Sequence, residues 1–429
     1  VTSARQQNAR GGRCFRLLGL ALLLTAGCRP YDGSQPRPVK LVLATLAVES
    51  LRPIFYSTIE GFEARNPDIQ VELLEIPGDY YQKLLVMIAG RNAPDVMWMG
   101  QSFAEFAARG AFLDLSDRIE AEIDTGEYHQ KVLSWYRLDG QQFGIPYGID
   151  TEFIAYNKSL FDEAGIPYPR TGWILDEFVE TARQLTRDLD GDGRIDQYGY
   201  RGQINYATFG AEVIAADGSR ALCNSPEMIA AIRFNLRMIH DWRIAPPPEE
   251  TRREGTDTYT AFRQGKAAMM TFYTFNIPHL RERCADLDWD IVGVPIAKRP
   301  AYWASSAAYL VARDTRHPAA AWLLFKELLS DEFQLAMSVE SLPANLRVAE
   351  RLVRENTRKP EHLEVVLAAT EHLYPNPRIP NLQELMEQYN LALQKVMAFY
   401  GKPQYVPPED AMAEAERRIN ELITKRRRR

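Results

Sequence analysis

The sequence predicts an α/β layer fold with a mainly parallel sheet, divided between two domains. Three observations lead there. Short β-rich apolar runs alternate with amphipathic helical stretches, the pattern of consecutive strand–helix–strand units. About 390 residues lie from Val39 onward, enough for two domains of ordinary size. The composition, 46% hydrophobic and 25% charged, suits a chain that buries sizeable cores beneath a solvated surface.

The chain opens on an arginine-flanked apolar run. Arg5, Arg10, Arg13 and Arg16 supply a positive segment, and Leu17 to Leu24 follow as a stretch too short to span a bilayer. Leu24-Thr25-Ala26-Gly27-Cys28 has the order of a bacterial lipobox, with cleavage before Cys28 and acylation of its sulfur and new amine. The alternative is an ordinary secretory signal in which Cys28 falls by chance. Residues 1–27 are thus expected to be a lipoprotein signal peptide and Cys28 the lipidation site. Residues 28–38, rich in proline with Gly33 and Ser34, read as a tether. The folded part would then be exported and held on the periplasmic or outer face of the cytoplasmic membrane.

Folded pattern begins at Val39. Val39 to Val48 (VKLVLATLAV) reads as a first strand. Arg52 to Arg65 places Ile54, Phe55, Ile59 and Phe62 at helical spacing before Asn66-Pro67 stops it. Ile69 to Ile76 alternates as a second strand, Tyr80 to Gly90 is helical, and Asp95 to Met99 is a third strand. Phe153 to Tyr156 is a further strand, followed by helices at Leu175 to Leu189 and Pro226 to Trp242. From Pro318 onward the chain is mostly helical, ending with Pro408 to Ile423.

A net charge of −6 argues against a nucleic-acid partner, because such proteins gather basic residues on one face. No later apolar run reaches the length of a transmembrane helix. Once Cys14 and Cys28 are set aside, Cys223 and Cys284 remain, either as a disulfide or as two buried thiols. The histidines (129, 240, 279, 317, 362 and 372) show no His-Glu-x-x-His spacing and no zinc frame. Neither a Gly-x-Ser-x-Gly elbow nor a phosphate-binding loop with Gly-Lys-Ser/Thr is present.

A set of ordered motifs carries a family resemblance. Phe62 to Ile69 (FEARNPDI), Ala93 to Val96 (APDV), Gly110 to Leu115 (GAFLDL), Phe143 to Tyr147 (FGIPY) and Tyr156 to Gly165 (YNKSLFDEAG) come in sequence. Phe262 to Met269 (FRQGKAAM), Pro318 to Trp322 (PAAAW) and Leu342 to Asn345 (LPAN) follow. In this order and spacing they resemble the extracellular solute-binding proteins of the sugar-binding, maltodextrin-binding-like family, which deliver ligand to ABC importers. The resemblance implies a two-lobed periplasmic-binding-protein fold (type II-like) with the ligand in a cleft between lobes. It places chain crossings near Gly144 to Asp150, Ala301 to Ser305 and just after Asn345. Lobe I would then be 39–146 and 304–346, and lobe II 150–300 and 350–425. It also implies a carbohydrate ligand, ABC permease subunits as partners, a monomer, no enzymic activity and no cofactor needed for function.

Sugars present apolar C–H faces flanked by hydroxyls, so their sites combine flat aromatic platforms with planar hydrogen-bonding groups. The candidates, set where strands end or cross between the implied lobes, are Glu49, Trp98, Gln101, Tyr147, Asp150, Tyr206, Tyr273, Phe275 and Trp303. Trp173, Trp242, Trp289 and Trp322 read as core residues. One departure from the family pattern stands out. Relatives often offer an aromatic from the helix after a Pro-x-x-Pro segment, whereas Leu382 to Glu387 here reads LQELME. That argues against a long maltodextrin and leaves other mono- or oligosaccharides open.

A second constellation is Asp188 to Asp196 (DLDGDGRID). Asp188, Asp190, Asp192, the Arg194 carbonyl and Asp196 have the spacing of a calcium loop, whose role would be structural. Its twelfth position is Gly199 instead of the usual bidentate glutamate, and the alternative is an acidic turn. Lys425 to Arg429 reads as a frayed basic terminus, or as a contact to anionic lipid. Other functional classes stay open at this stage: a lipid-anchored glycoside hydrolase or lyase, or a binding protein of the same fold for glycerol 3-phosphate or for a sensor.

Overall fold

The computed structural model describes residues 38–427 apart from Asn376 and Arg378. The leader, Cys28 and most of the tether lie outside the described residues, as do Arg428 and Arg429. Residues from Pro38 onward form one compact unit.

The first strands are β1 (Val39–Leu46), β2 (Ile69–Ile76) and β3 (Val96–Met99). β1 pairs parallel with β2 in unbroken register from Val39–Ile69 to Leu46–Ile76, and parallel with β3 at Leu43–Val96. The helix Arg52–Arg65 makes the return crossing. It buries Phe55, Ile59 and Phe62, spaced four and three residues apart on one face, and stops at Asn66, whose side-chain amide donates to the Phe62 carbonyl. Asp95, in the turn before β3, ties the layer together by accepting from the Val42 amide at 2.9 Å and the Thr315 hydroxyl at 2.6 Å.

The remaining strands are the short hairpin β4 (Arg137–Leu138) and β5 (Gln141–Gln142), then β6 (Pro146–Asn157), β7 (Tyr198–Arg201), β8 (Ala267–Tyr273), β9 (Trp289–Val292), β10 (Tyr302–Val311), β11 (Leu342–Pro343) and β12 (Leu373–Pro375). The main path of the sheet runs β2-β1-β3-β10-β6-β8-β7. β6 is the organising strand. Pro146 to Thr151 pair antiparallel with β10, while Glu152 to Tyr156 pair antiparallel with β8 and Ile154 to Asn157 with β9. It is much longer than its apolar segment Phe153 to Tyr156 predicts. The polar triplet Asp150-Thr151-Glu152 interrupts the apolar pattern at the point where the strand changes partners.

The sheet is mixed, not mainly parallel. β1 with β2 and β3, β7 with β8, and β10 with β12 are parallel, and every other pairing on β6 and β10 is antiparallel. Parallel neighbours need a crossover connection. The strands β6 and β10 instead pass between two cores and meet partners that belong to each. The helix from Leu175 ends at Gln184, short of Leu189, because Arg187 pairs back with Gln197 and turns the chain into the Asp-rich loop.

Two lobes follow from the packing. One core gathers β1, β2, β3, the first half of β6 and most of β10, with Phe55, Phe103, Tyr136 and Phe325 deeply buried. The other is built on β6 beyond Thr151. Ile154 and Tyr156 face the cluster of the helices Leu175–Gln184 and Pro226–His240, and Phe153 and Ala155 face that of Trp289, Ala349 and Val366. A strand buried on both faces needs an unbroken apolar run, which FIAY supplies. A helical layer, Leu382–Phe399 with Pro408–Arg427, closes over the Pro226–His240 helix. Cys223 lies in that helical layer and Cys284 in the Trp289 cluster, each as a free buried thiol, so the two do not pair. Trp173, Trp289 and Trp322 are core residues, and Trp242 packs beneath the Arg237 guanidinium.

The segment after residue 355 is fastened to the second lobe by a charged contact. The Asp290 carboxylate, fully buried on β9, accepts from the Ile291 and His362 backbone amides and bonds the His362 ring. Lys158 pairs with Glu361 beside it. The bond to Asp290 raises the His362 pKa above its ordinary value. Protonated His362 therefore stabilises the fold below the unfolded imidazole pKa of roughly 6.5, and this stability is lost as pH rises through the higher folded value. The melting temperature should fall across that window, and His362→Gln should flatten the fall; an unchanged slope in the variant would show that the contact carries no pH-dependent stability.

Candidate functional site

Side chains alternate across a strand, so Asp150 and Glu152 share one face of β6, where it changes partners. Asp150 accepts from the Ser341 hydroxyl at 2.7 Å and the Ser305 hydroxyl at 3.2 Å. Burial pushes its pKa up to about 7 despite those two donors, and Glu340 adds to the rise. Glu152, more deeply buried than the half-buried Asp150, accepts at one oxygen from both the Trp303 backbone amide and the Asn205 side chain, each at 2.7 Å. Its pKa is raised by burial and held back by the same two donors. One carboxylate oxygen therefore joins β6, β10 and the loop after β7.

Aromatic rings stand beside these acids. Tyr273, directly opposite Glu152 on β8, stacks on Phe275 with ring centres 5.4 Å apart and meets Trp303 edge-on at 4.9 Å. Phe275 is 39% exposed, the open face of the group. Three aromatic rings thus stand next to two carboxylates, flat apolar faces beside groups that accept hydrogen bonds.

The other candidates distribute as follows. Trp98 sits half-buried at the end of β3, opposite Tyr309 on β10, and donates its indole N–H to the Tyr147 hydroxyl at 3.1 Å. Tyr147 is not an open platform. It is 6% exposed, stacked on Tyr309 and met edge-on by Phe333, so its ring supports Trp98 from the core. Tyr206 is packed edge-on against Tyr374 and Tyr389 in the second lobe. Glu49 is exposed at the first position of a single 3₁₀ turn after β1.

Gln101 opens onto a cavity of about 380 Å³. Tyr81, Gln101 and Glu105 of the first lobe face Gln383, Met386, Glu387 and Asn390 of the helix Leu382–Phe399. The structure thus brings Tyr273, Phe275 and Trp303 together, and Trp98 with Tyr147, but it leaves Glu49 and Tyr206 outside both groups. Sequence reading missed Glu152, Asn205, Ser305 and Ser341. A signal for Glu152 existed, since it is an acid two residues from Asp150 in an otherwise apolar strand. Nothing local marks Ser341 or Asn205, which arrive from distant segments.

The Asp-rich loop folds tightly. Gly191 and Gly193 adopt positive φ, and their amides donate to the two Asp188 oxygens. The Leu189 amide donates to Asp196. Carboxylate oxygens of Asp188, Asp190 and Asp196 come within 4.8 Å of one another, whereas Asp192 bonds the Arg194 amide and stands outside that group. Gly199 at the twelfth position has a packing reason: a Cβ there would lie 1.9 Å from the Ala182 carbonyl oxygen. No glutamate fits where the strand crosses the helix so closely.

Residues 48–335 match the sequence profile of the bacterial extracellular solute-binding proteins. The chain belongs to that family. A Brucella abortus (strain 2308) protein provisionally named a binding protein is 25% identical, covering 93% of this chain and 96% of its own. The melibiose/raffinose/stachyose-binding protein MelE of Bacillus subtilis (strain 168) is 26% identical over 41% of this chain and 40% of its own. Among solved structures, an ABC substrate-binding protein of Listeria monocytogenes in complex with cycloalternan superposes with a TM-score of 0.76, at 22% identity, covering 90% of this chain and 99% of that one.

In this solute-binding protein the Asp150 carboxyl ionises near pH 7, where an unfolded aspartate ionises near 3.8. Because the folded value is raised, the folded state loses stability relative to the unfolded chain as pH rises between those values. Asp150→Asn removes the buried charge. In thermal melts the variant should gain on the parent protein as pH rises from 4 to 8, by several degrees at the upper end; a difference independent of pH would contradict the burial of this carboxylate.

Proposed function

We propose that this solute-binding protein captures a carbohydrate between its lobes and hands it to the permease of an ABC importer. The observation that carries the reading is the Tyr273, Phe275 and Trp303 group beside Asp150 and Glu152, set where β6 changes partners. Several similar proteins are named for sugars, MelE among them. Lobes at 39–146 with 304–346, and at 150–300 with 350–425, would close around the solute by bending where β6 and β10 cross between them. Ligand favours the closed form by its higher affinity for it. No covalent step is involved, and the chain acts as a receptor and not as an enzyme. The reading includes export, anchoring through lipid on Cys28, and action as a monomer.

The cavity wall narrows the ligand class. The helix Leu382–Phe399 offers Met386 and Glu387, not an aromatic ring, to the cavity at Gln101, and no Lys or Arg among the described residues lines that cavity. A short neutral saccharide fits this better than a long glucan or a sugar phosphate. The test is a thermal-shift panel of maltose, melibiose, raffinose, diacetylchitobiose and glycerol 3-phosphate. A ligand at about 100 times its dissociation constant adds roughly 2.7 kcal/mol, a clear shift. One neutral sugar should shift the melt and be recovered unchanged, and Trp303→Ala should weaken it about tenfold or more. A shift with glycerol 3-phosphate alone would overturn the neutral-sugar reading, and turnover of the sugar would overturn the receptor reading.

Calcium has a structural place in the same reading. Asp188, Asp190 and Asp196, with the Arg194 carbonyl, are hard oxygen donors suited to it, and water would complete the shell that Gly199 leaves short. Calcium should raise the melting temperature of the parent protein and not of Asp190→Asn. Equal shifts in both would remove the loop as the site.

A further inference from the structure

A second, larger cavity of about 690 Å³ lies apart from the one at Gln101 and shares no lining residue with it. Chain from both lobes borders it. Lys131 belongs to the helix Gln130–Leu133, whose Val132 and Leu133 are buried in the first core. Arg299 is fixed to the second lobe, because its backbone amide donates to the Thr208 carbonyl and its carbonyl accepts from the Thr208 hydroxyl. Between them runs β12, with Leu373 and Tyr374 on the cavity wall.

Neither cation is held in an ion pair among the described residues, and the carboxylates of Glu212 and Glu371 border the same space. Lys131 spends one donor on the Leu373 carbonyl, and an ammonium has three. Neither it nor Arg299 has a carboxylate within 4.0 Å among the described residues. Burial lowers the Lys131 pKa first, and the neighbouring Arg299 charge lowers it further, ahead of the opposite pull of Glu212. An exposed ammonium and an exposed guanidinium that border one cavity and repel each other are an arrangement an anion relieves.

We infer that this cavity binds a small oxyanion, a phosphate or a carboxylate, held between Lys131 and Arg299. Bound there, the anion links the two lobes at a place that shares no lining residue with the cavity at Gln101. Its occupancy then depends on how far the lobes are closed, and the coupling between anion and solute is reciprocal.

Calorimetric titration of the purified full-length chain tests this, with sodium phosphate in one arm and sodium acetate in the other, both at ionic strength held constant with sodium chloride. Saturable binding is expected in at least one arm, and the tighter arm identifies the anion class. Arg299→Gln, an exposed position whose backbone anchors are untouched, should weaken it at least tenfold, and Lys131→Met likewise wherever its melt shows a folded protein. The inference is overturned if neither anion binds saturably beyond the chloride background, or if Arg299→Gln binds as tightly as the parent chain.

Discussion

Everything else in this molecule depends on β6 serving two cores at once. A strand buried along its length cannot leave polar backbone unpaired, so each half must find its own neighbours. The first half finds β10 and β11, the second finds β8 and β9. The change of partners falls at Asp150-Thr151-Glu152, where the apolar run is interrupted and the two lobes meet. The Thr151 backbone amide donates to the Thr274 hydroxyl, and that hydroxyl in turn donates to the Thr151 carbonyl, so even the switch residue is satisfied. Satisfied polar side chains are thereby concentrated at that seam.

The acids at the seam are held in different ways. Asp150 takes hydroxyl donors that can reorient, whereas Glu152 takes a backbone amide and a side-chain amide whose positions are set by β10 and the loop after β7. Glu152 thus acts on geometry, fixing Trp303 and Asn205 relative to β6. Asp150 retains a titratable charge whose cost varies with its surroundings.

The outer strands and helices of the first lobe were legible in sequence, because their cues are local: alternation in Ile69–Ile76, helical spacing with an Asn-Pro stop after Arg65, Pro94 ahead of β3. The family motifs in order also carried the two-lobed architecture. What the residues did not disclose is non-local. β6 looked four residues long because Asp150, Thr151 and Glu152 break its apolar pattern, and antiparallel pairing to β10 spans about 150 positions of chain, beyond any periodicity. At the site, the type of residue was readable and its partner was not. Tyr147 has the composition of a platform, but Tyr309 and Phe333 already occupy its faces. Ser341 reaches Asp150 only because β11 pairs beside it.

The two unpaired thiols have a consequence in time as well as in place. Burial pushes the Cys223 thiol up to about 12 and raises that of Cys284, so neither supplies much thiolate to an oxidant while the native packing holds. Each reacts only when its own surroundings open. One thiol sits under the carboxyl-terminal helices and the other beneath Trp289, so their labelling rates clock the opening of two separate parts of the second lobe. In an oxidising compartment a mispaired crosslink is thus a risk confined to the interval before those two layers have docked.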